Sequence, residues 1–261
     1  MNNQFRVATY NIRYANTKDT GNLWIDRRAV VINLIRFHAF DILGTQEGLK
    51  QQLDDINDAL PYFSRSGVGR DDGAAAGEHA AIFFRTSLYE QLDGGTFWLS
   101  EQDDRPGFGW DARHNRICTW VKLAGKPAGN HLYVFNAHFD HFGELAREQS
   151  SRLVLRKIKS IAGSSPVILM GDFNADHDTL CYRLLAESNE LEDVIKLADH
   201  PYVNNPSFNS WGQPSDENRL IDHVFVSNHF SVKRYGILTD TYYSRVPSDH
   251  FPVMADLVQA L

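Results

Sequence analysis

Cysteine is nearly absent from this chain of 261 residues; Cys118 and Cys181 are the only two. Two cysteines cannot build a disulfide framework, and neither stands in a C-x-x-C metal-ligand pattern, so both read as reduced packing residues. Missing too is any run approaching the ~18 apolar residues that a membrane span needs. The opening MNNQFRVATYNIR has no basic region followed by an apolar stretch, which predicts a cytoplasmic protein. Positive charge is also scarce. Lys and Arg number 26 against 33 Asp and Glu, a formal net charge of −7, and no run of basic residues stands out. Sequence-independent adhesion to nucleic acid comes from Lys and Arg that release condensed counterions. A long duplex is therefore a poor fit, and a small or single-stranded phosphate substrate is a better one. No repeat, low-complexity tract or linker breaks the chain, so residues 1–261 read as one domain.

What is present is a mixed order of strands and helices. Phe5, Val7 and Thr9 alternate with Ala8, Tyr10 and Ile12, the period of a strand. Ile25, Ala29, Ile32 and Ile35 recur at helical spacing, and Asp41 to Glu47 is a short apolar run ending in polar residues. A helix fits Gln51 to Leu60, and Gly67 to Gly77 reads as a mobile loop before a strand from His79 to Arg85. Trp98 to Asn115 reads as a second long loop. Strands follow at Ile117 to Leu123 and Leu132 to His138, then a helix from Glu144 to Ile161 with Ala146, Ser150, Val154, Ile158 and Ile161 inside. PVILMG, Pro166 to Gly171, is apolar on both faces, as a central covered strand is. A helix near Thr179 to Ala186, a Pro/Asn/Ser-rich stretch from Pro201 to Pro214, and strands at Asp222 to Ser227, Val232 to Leu238 and Phe251 to Leu257 complete a layered α/β sandwich.

Several strand ends finish in polar side chains: Asn11, Glu47, His138 with Asp140, Asp172 with Asn174, and Asp249 with His250. Each alone fits a turn former or a helix cap; together they resemble a site. Mg²⁺ takes oxygen ligands and uses only one or two carboxylates, which suits Glu47 and Asp249. HFDH at 138–141 lacks the dense histidine set of a dinuclear zinc hydrolase. There is no G-x-S-x-G elbow and no candidate reactive cysteine, so a covalent Ser or Cys mechanism is not expected. A histidine with an orienting aspartate can activate water, and amide or guanidinium donors can stabilise a pentacovalent phosphorus.

The motifs TYNIR, TQE, GEHAAIFFR, NRICTWV, NAHFDH, GDFNAD, RLIDHVFVS and PSDHFPV run in this order from Thr9 to Val253. Together they resemble the DNase I-like endonuclease/exonuclease/phosphatase superfamily. The resemblance implies a four-layer α/β/β/α sandwich of two mixed β-sheets and a Mg²⁺-dependent phosphoesterase, with Mn²⁺ as the alternative ion. It carries the metal role to Glu47, with Asn11 and Asp249 beside it, and the orientation of water to Asp172. Asn174 would contact phosphoryl oxygens, His250 would pair with Asp222, and His138 would bind a phosphate oxygen with Glu78 as its partner. Arg116 falls where the family often carries an arginine on the phosphate side. Asp140 is left between supporting that site and starting a helix, while His79, His114, His141, His177 and His223 are read as surface or packing residues. The loop bearing Trp98, Phe108, Trp110 and Arg113 resembles a bacterial branch of the superfamily, and Trp98, Trp110 and Arg113 are offered as substrate contacts that could stack on a base or sugar.

The expectation is hydrolysis of a phosphodiester, nuclease-style, by in-line attack of water. A phosphomonoester, a small-molecule diester or a lipid head group stays open as substrate, as does a catalytically silent protein that binds a phosphate ligand. No obligate protein partner is called for.

Overall fold

The computed structural model describes residues 4–127, 129–203, 205–213 and 219–260. Asn204 and Pro214 of the Pro/Asn/Ser-rich stretch, and both ends of the expected 1–261 domain, lie outside the described residues.

The first half runs β1 (Gln4–Asn11), α1 (Trp24–His38), β2 (Ile42–Gly48), α2 (Lys50–Ala59), β3 (Phe63–Ser66), β4 (His79–Arg85), β5 (Tyr89–Trp98) and β6 (Ile117–Gly125). The second runs β7 (His131–His138), α3 (Glu144–Ala162), β8 (Val167–Asp172), α4 (Leu180–Ala186), β9 (Glu192–Asp193), α5 (Val194–Leu197), β10 (Ala198–Tyr202), β11 (Asp222–Val226), β12 (Phe230–Ile237) and β13 (Val253–Gln259). One sheet has the order β10-β12-β13-β1-β2-β4-β3, and the other β5-β6-β7-β8-β11-β9. Both are mixed: β1 pairs in parallel with β2 and β7 with β8, while most other neighbours are antiparallel. Parallel neighbours need a crossover. Here α1 and α3 supply it, and they cover the two outer faces.

Strand alternation decides what lies between the sheets. Phe5 and Val7 of β1 meet Val134 of β7, Ile168 and Met170 of β8, and Val224 of β11 in the central core. Ala8, Tyr10 and Ile12 face the layer of α1 and α2. Following each inward series to its end gives Asn11, His138, Asp172 and Asp222, so the period that builds the core also delivers polar groups to one edge of it. Register keeps them level, because His138 pairs with Asp172 and Asp172 with Asp222. Just beneath, Gln46 Nε2 donates to Asn136 Oδ1 at 2.6 Å and to Thr9 Oγ1 at 2.9 Å. Asn136 Nδ2 in turn donates to the carbonyls of Thr45 and Ala81. This buried network, almost fully hydrogen-bonded, ties β7 to β1, β2 and β4 across the gap between the sheets. Gly171 has no room for a side chain: a Cβ there would stand 2.1 Å from the Ala137 carbonyl oxygen.

Three expectations change. The buried face of α1 is Trp24, Arg27, Val31, Ile32, Leu34 and Ile35, whereas Ile25 and Ala29 are exposed. The cause is Arg27, whose guanidinium is buried between the rings of Trp24 and Trp211. It donates to the carbonyls of Ile12, Arg13 and Pro247, pinning the ends of two site-bearing segments. The Gly67 to Gly77 segment is cross-tied rather than loose: Gly69 N donates to Ala74 O, Asp71 N to Ala76 O, and Arg70 N to Glu78 O. Strands β3 and β5 also join the sheets, at segments without a strand pattern in the sequence. No helix among the described residues is long and apolar enough to cross a membrane.

Candidate active site

At the shared strand end, Asn11 Nδ2 donates to Glu47 Oε1 and to Asp172 Oδ2, each at 3.0 Å. Its Oδ1 accepts the Arg13 backbone N–H. Glu47 sits at a bulge between β2 and β4 with φ +63°, a left-handed conformation uncommon for glutamate. Glu47 Oε2 accepts the Tyr14 N–H, and Arg13 Nη1 lies 3.8 Å from Glu47 and 3.7 Å from Asp249. Burial works against the charge on Glu47, but Arg13 and the Asn11 amide outweigh it and hold the carboxyl below its usual range. Asp249 goes the other way, raised by burial and by the charge on Glu47.

Beside this group, His250 Nδ1 donates to Asp222 Oδ2 at 2.8 Å. Its Nε2 lies 3.8 Å from Asp172 Oδ2. Burial opposes charge on His250, yet Asp222, Asp172 and Asp249 push the imidazole up to about 10. Asp172 is raised by burial and by Asp222. Its Oδ1 accepts the Asn174 N–H, and Asn174, at φ +49°, donates its amide to Phe139 O. His138 Nε2 lies 3.5 Å from Asp172, and burial followed by Arg116 and Arg70 drives its imidazole neutral.

Arg116 is the hub of the next group. It is buried and donates to Asp140, His138 and His141. Asp140 fills both roles considered for it, since its other oxygen accepts the N–H groups of Phe142 and Gly143 at the start of α3. Glu78 lies 3.8 Å from His138 but hydrogen-bonds Arg70 instead. Burial and the charge on Glu47 raise its carboxyl.

These groups line one cleft of about 640 Å³. Asn11 and Asp222 stand behind its wall, and the other residues expected for metal and catalysis face it. Sequence reasoning missed Arg13, Arg70, Arg147 and Arg219, which also line it, as do His114 and His141, read earlier as surface or packing residues. The aromatic loop is a correction. Trp98 is 5% exposed and donates its indole N–H to Arg70 O, packing with Ala80 and Ile117, so it props the Arg70 segment from below and offers no face to substrate. Trp110 packs half-buried against the helix-side core, and Arg113 lies over the Phe142 ring at 4.1 Å; neither lines the cleft. Their side chains are spent on anchoring the loop.

A second cluster, His177, Asp193 and His223, sits on the helix side of the same sheet. Both nitrogens of His223 face acceptors, Asp193 Oδ2 at 3.2 Å and Ala175 O at 2.9 Å, which requires an imidazolium. It is buried, which opposes its charge, but Asp193 raises it. A histidine raised in the folded state stabilises fully below its unfolded value of about 6.5 and loses that contribution as pH climbs through the folded value. Asp193→Asn is therefore expected to cost on the order of 3 kcal/mol at pH 6 and progressively less toward pH 10. Thermal melts of both proteins across that range, with chelator present, check it; a constant difference would refute the charged pair.

The geometry agrees with what comparison finds. The family model described as Endonuclease/Exonuclease/phosphatase family matches residues 8–250. The chain belongs to the endonuclease/exonuclease/phosphatase family. A family protein from Bacteroides thetaiotaomicron is 44% identical, covers 100% of both chains and superposes with a TM-score of 0.96. The mannosyl-6-phosphatase of the same species is also 44% identical, over 97% of this chain and 99% of that one, with a TM-score of 0.93. D. rerio TDP2 complexed with single strand DNA product is 16% identical over 97% and 98%, with a TM-score of 0.75, which shows a shared fold alone. Family membership makes this protein a phosphoesterase hydrolase, and the four-layer sandwich is the family's DNase I-like architecture.

Proposed function

We propose that the protein is a Mg²⁺-dependent phosphomonoesterase acting on a small phosphorylated sugar. The observation that carries this is charge concentrated in a confined space. Arg13, Arg70, Arg116, Arg147 and Arg219 converge on a cleft of about 640 Å³ and outnumber its carboxylates, Glu47, Glu78, Asp172 and Asp249, in a chain of net charge −7. A monoester near neutral pH carries about −1.5 to −2, against a single charge on a diester, and gains more from such convergence. The volume matches clefts for small ligands, roughly 300–1,000 Å³, whereas a specific duplex interface occupies about 1,000–2,500 Å² of protein surface. The 44%-identical mannosyl-6-phosphatase supports the same reading and moves it away from the phosphodiester that the sequence suggested.

Asn11, whose Oδ1 accepts the Arg13 N–H, steadies Glu47 through its Nδ2, while Glu47 and Asp249 offer the cleft the carboxylate oxygens that a hard cation takes, their mutual repulsion favouring its arrival. They would hold the ion, which supplies Lewis acidity toward the phosphoryl group. Asp172, whose carboxyl burial and Asp222 raise to about 7, receives the proton of the attacking water, and the His250 imidazolium oriented by Asp222 positions that water, while Asn174, His138 and Arg116 hold the phosphoryl oxygens. The phosphorus–oxygen bond to the alcohol breaks, and the alcohol leaves with a proton drawn from the open cleft.

The test offers hexose 6-phosphates, a bis-ester chromogenic substrate and single-stranded DNA to the protein with Mg²⁺, Mn²⁺ or EDTA. Phosphate release from the monoesters alone, abolished by EDTA, is the expected result. Preferential cleavage of the diester or of DNA would overturn the proposal in favour of a nuclease.

A further inference from the structure

The cleft has a rim that hydrolysis itself does not use. His114, His141 and Phe142 line it as a strip of aromatic rings: His114 and His141 stack with centroids 5.6 Å apart and planes 12° apart, and His141 and Phe142 lie 4.0 Å apart. Phe142 is 50% exposed, an unusual state for so large an apolar ring beside a cleft full of charge. The guanidinium of Arg113 sits against it at 4.1 Å and holds it in place.

The polar groups along this strip are hydrogen-bond donors on cleft-lining residues. Arginine has no acceptor, so the Arg116 Nη2 contact to His141 Nδ1 at 2.8 Å makes Nδ1 the accepting nitrogen. The proton of the neutral ring then sits on Nε2, away from Arg116. Burial and the Arg116 charge keep His141 neutral, down at about 4. Arg147, at the first turns of α3, gives Nη1 to the Asp140 carbonyl at 3.0 Å and has no carboxylate in ion-pair contact among the described residues. It lines the cleft and keeps N–H donors beyond the one given to Asp140.

We infer that His141, Phe142 and Arg147 form the subsite for the alcohol part of the substrate, and that they select a hydroxylated ring. The C–H face of a pyranose packs on Phe142 and the neighbouring histidines, while its hydroxyl oxygens accept from the N–H donors of His141 and Arg147. An acyclic alcohol would leave the ring face unused. The inference rests on the phosphomonoesterase reading and specifies which residues read the leaving group.

The test measures kcat and KM for a hexose 6-phosphate, for glycerol 3-phosphate and for a nucleoside 5′-monophosphate. The proteins are wild type, His141→Ala, Phe142→Ala, Phe142→Tyr and Arg147→Ala, with folding of each followed by its melt. Wild type is expected to prefer the hexose ester. Each alanine variant is expected to lose about tenfold in kcat/KM on it, mainly through KM, so that the preference over glycerol 3-phosphate shrinks. Phe142→Tyr, which keeps the ring face, should restore most of the preference. Free hexose should inhibit wild type competitively and the alanine variants more weakly. Hexose turnover with the preference unchanged in all three alanine variants would overturn the inference and leave the phosphomonoesterase reading standing. Wild type inert toward every monoester would overturn both, and a wild-type preference for the nucleotide would overturn the choice of a sugar.

Discussion

His250→Ala is expected to lower kcat by about 10²- to 10⁴-fold while the protein stays folded, the range for loss of a positioned acid–base group. Three features set the size of the effect. The ring is 4% exposed and fixed by Asp222, so no other side chain or water can take its place without rearrangement. Its Nε2 faces the Asp172 carboxylate at 3.8 Å, the separation of two groups that can share one small species between them. Its cationic character balances part of the charge of Asp172, Asp222 and Asp249, so its removal leaves three buried carboxylates less well compensated. Asp222→Asn keeps the shape but weakens the orienting bond, and should produce a smaller loss of the same kind. Steady-state kinetics with a thermal melt of each variant check this; near wild-type turnover in a folded His250→Ala protein would remove the residue from the mechanism.

The sequence was most informative where structure has a period. Alternation in QFRVATYN separated Phe5 and Val7 from Ala8 and Tyr10; the fold turns the first pair inward, and Asn11 follows on that same face. The apolar run VILMGD marked the central strand that ends in Asp172. Where a buried polar residue breaks the hydrophobic pattern the reading slipped, as on α1, whose inward face includes Arg27 instead of an aliphatic side chain. Strand β5 carried no signal because YEQLDGGTFW pairs at a sheet edge with half of its residues exposed to solvent. The arginines of the cleft come from widely separated parts of the chain, and nothing periodic announces that the fold brings Arg13, Arg70, Arg147 and Arg219 to one place. Trp98 shows the opposite error, since size and aromaticity describe what a side chain can touch and not which way its loop turns it.

Glu47→Gln is expected to abolish metal-dependent turnover at ordinary Mg²⁺ concentrations, with partial recovery as Mg²⁺ is raised. The substitution keeps volume and one of the two hydrogen bonds that Glu47 accepts from Asn11 Nδ2 and the Tyr14 N–H, and removes the charge that faces Asp249 and Arg13. With one of the two carboxylates of the set neutral, the electrostatic attraction for a divalent ion is roughly halved, while the dehydration that Mg²⁺ resists costs the same. The loss should therefore appear in the Mg²⁺ concentration needed for half-maximal rate, and substrate affinity at saturating metal should change far less. Folding should survive at a modestly lower melt, because Arg13 and the Asn11 amide hold the Glu47 carboxyl below its usual range, so that its charge stabilises the metal-free fold, while removing that charge relieves Glu78 and Asp249, which it raises. A metal-free melt modestly below that of wild type, together with weaker binding of Mg²⁺ by calorimetry, is the expected pair of results. If Mg²⁺ binding were unchanged in Glu47→Gln, the ion would have to be held elsewhere, and the Asp172, Asp222 and His250 cluster would be the next place to look.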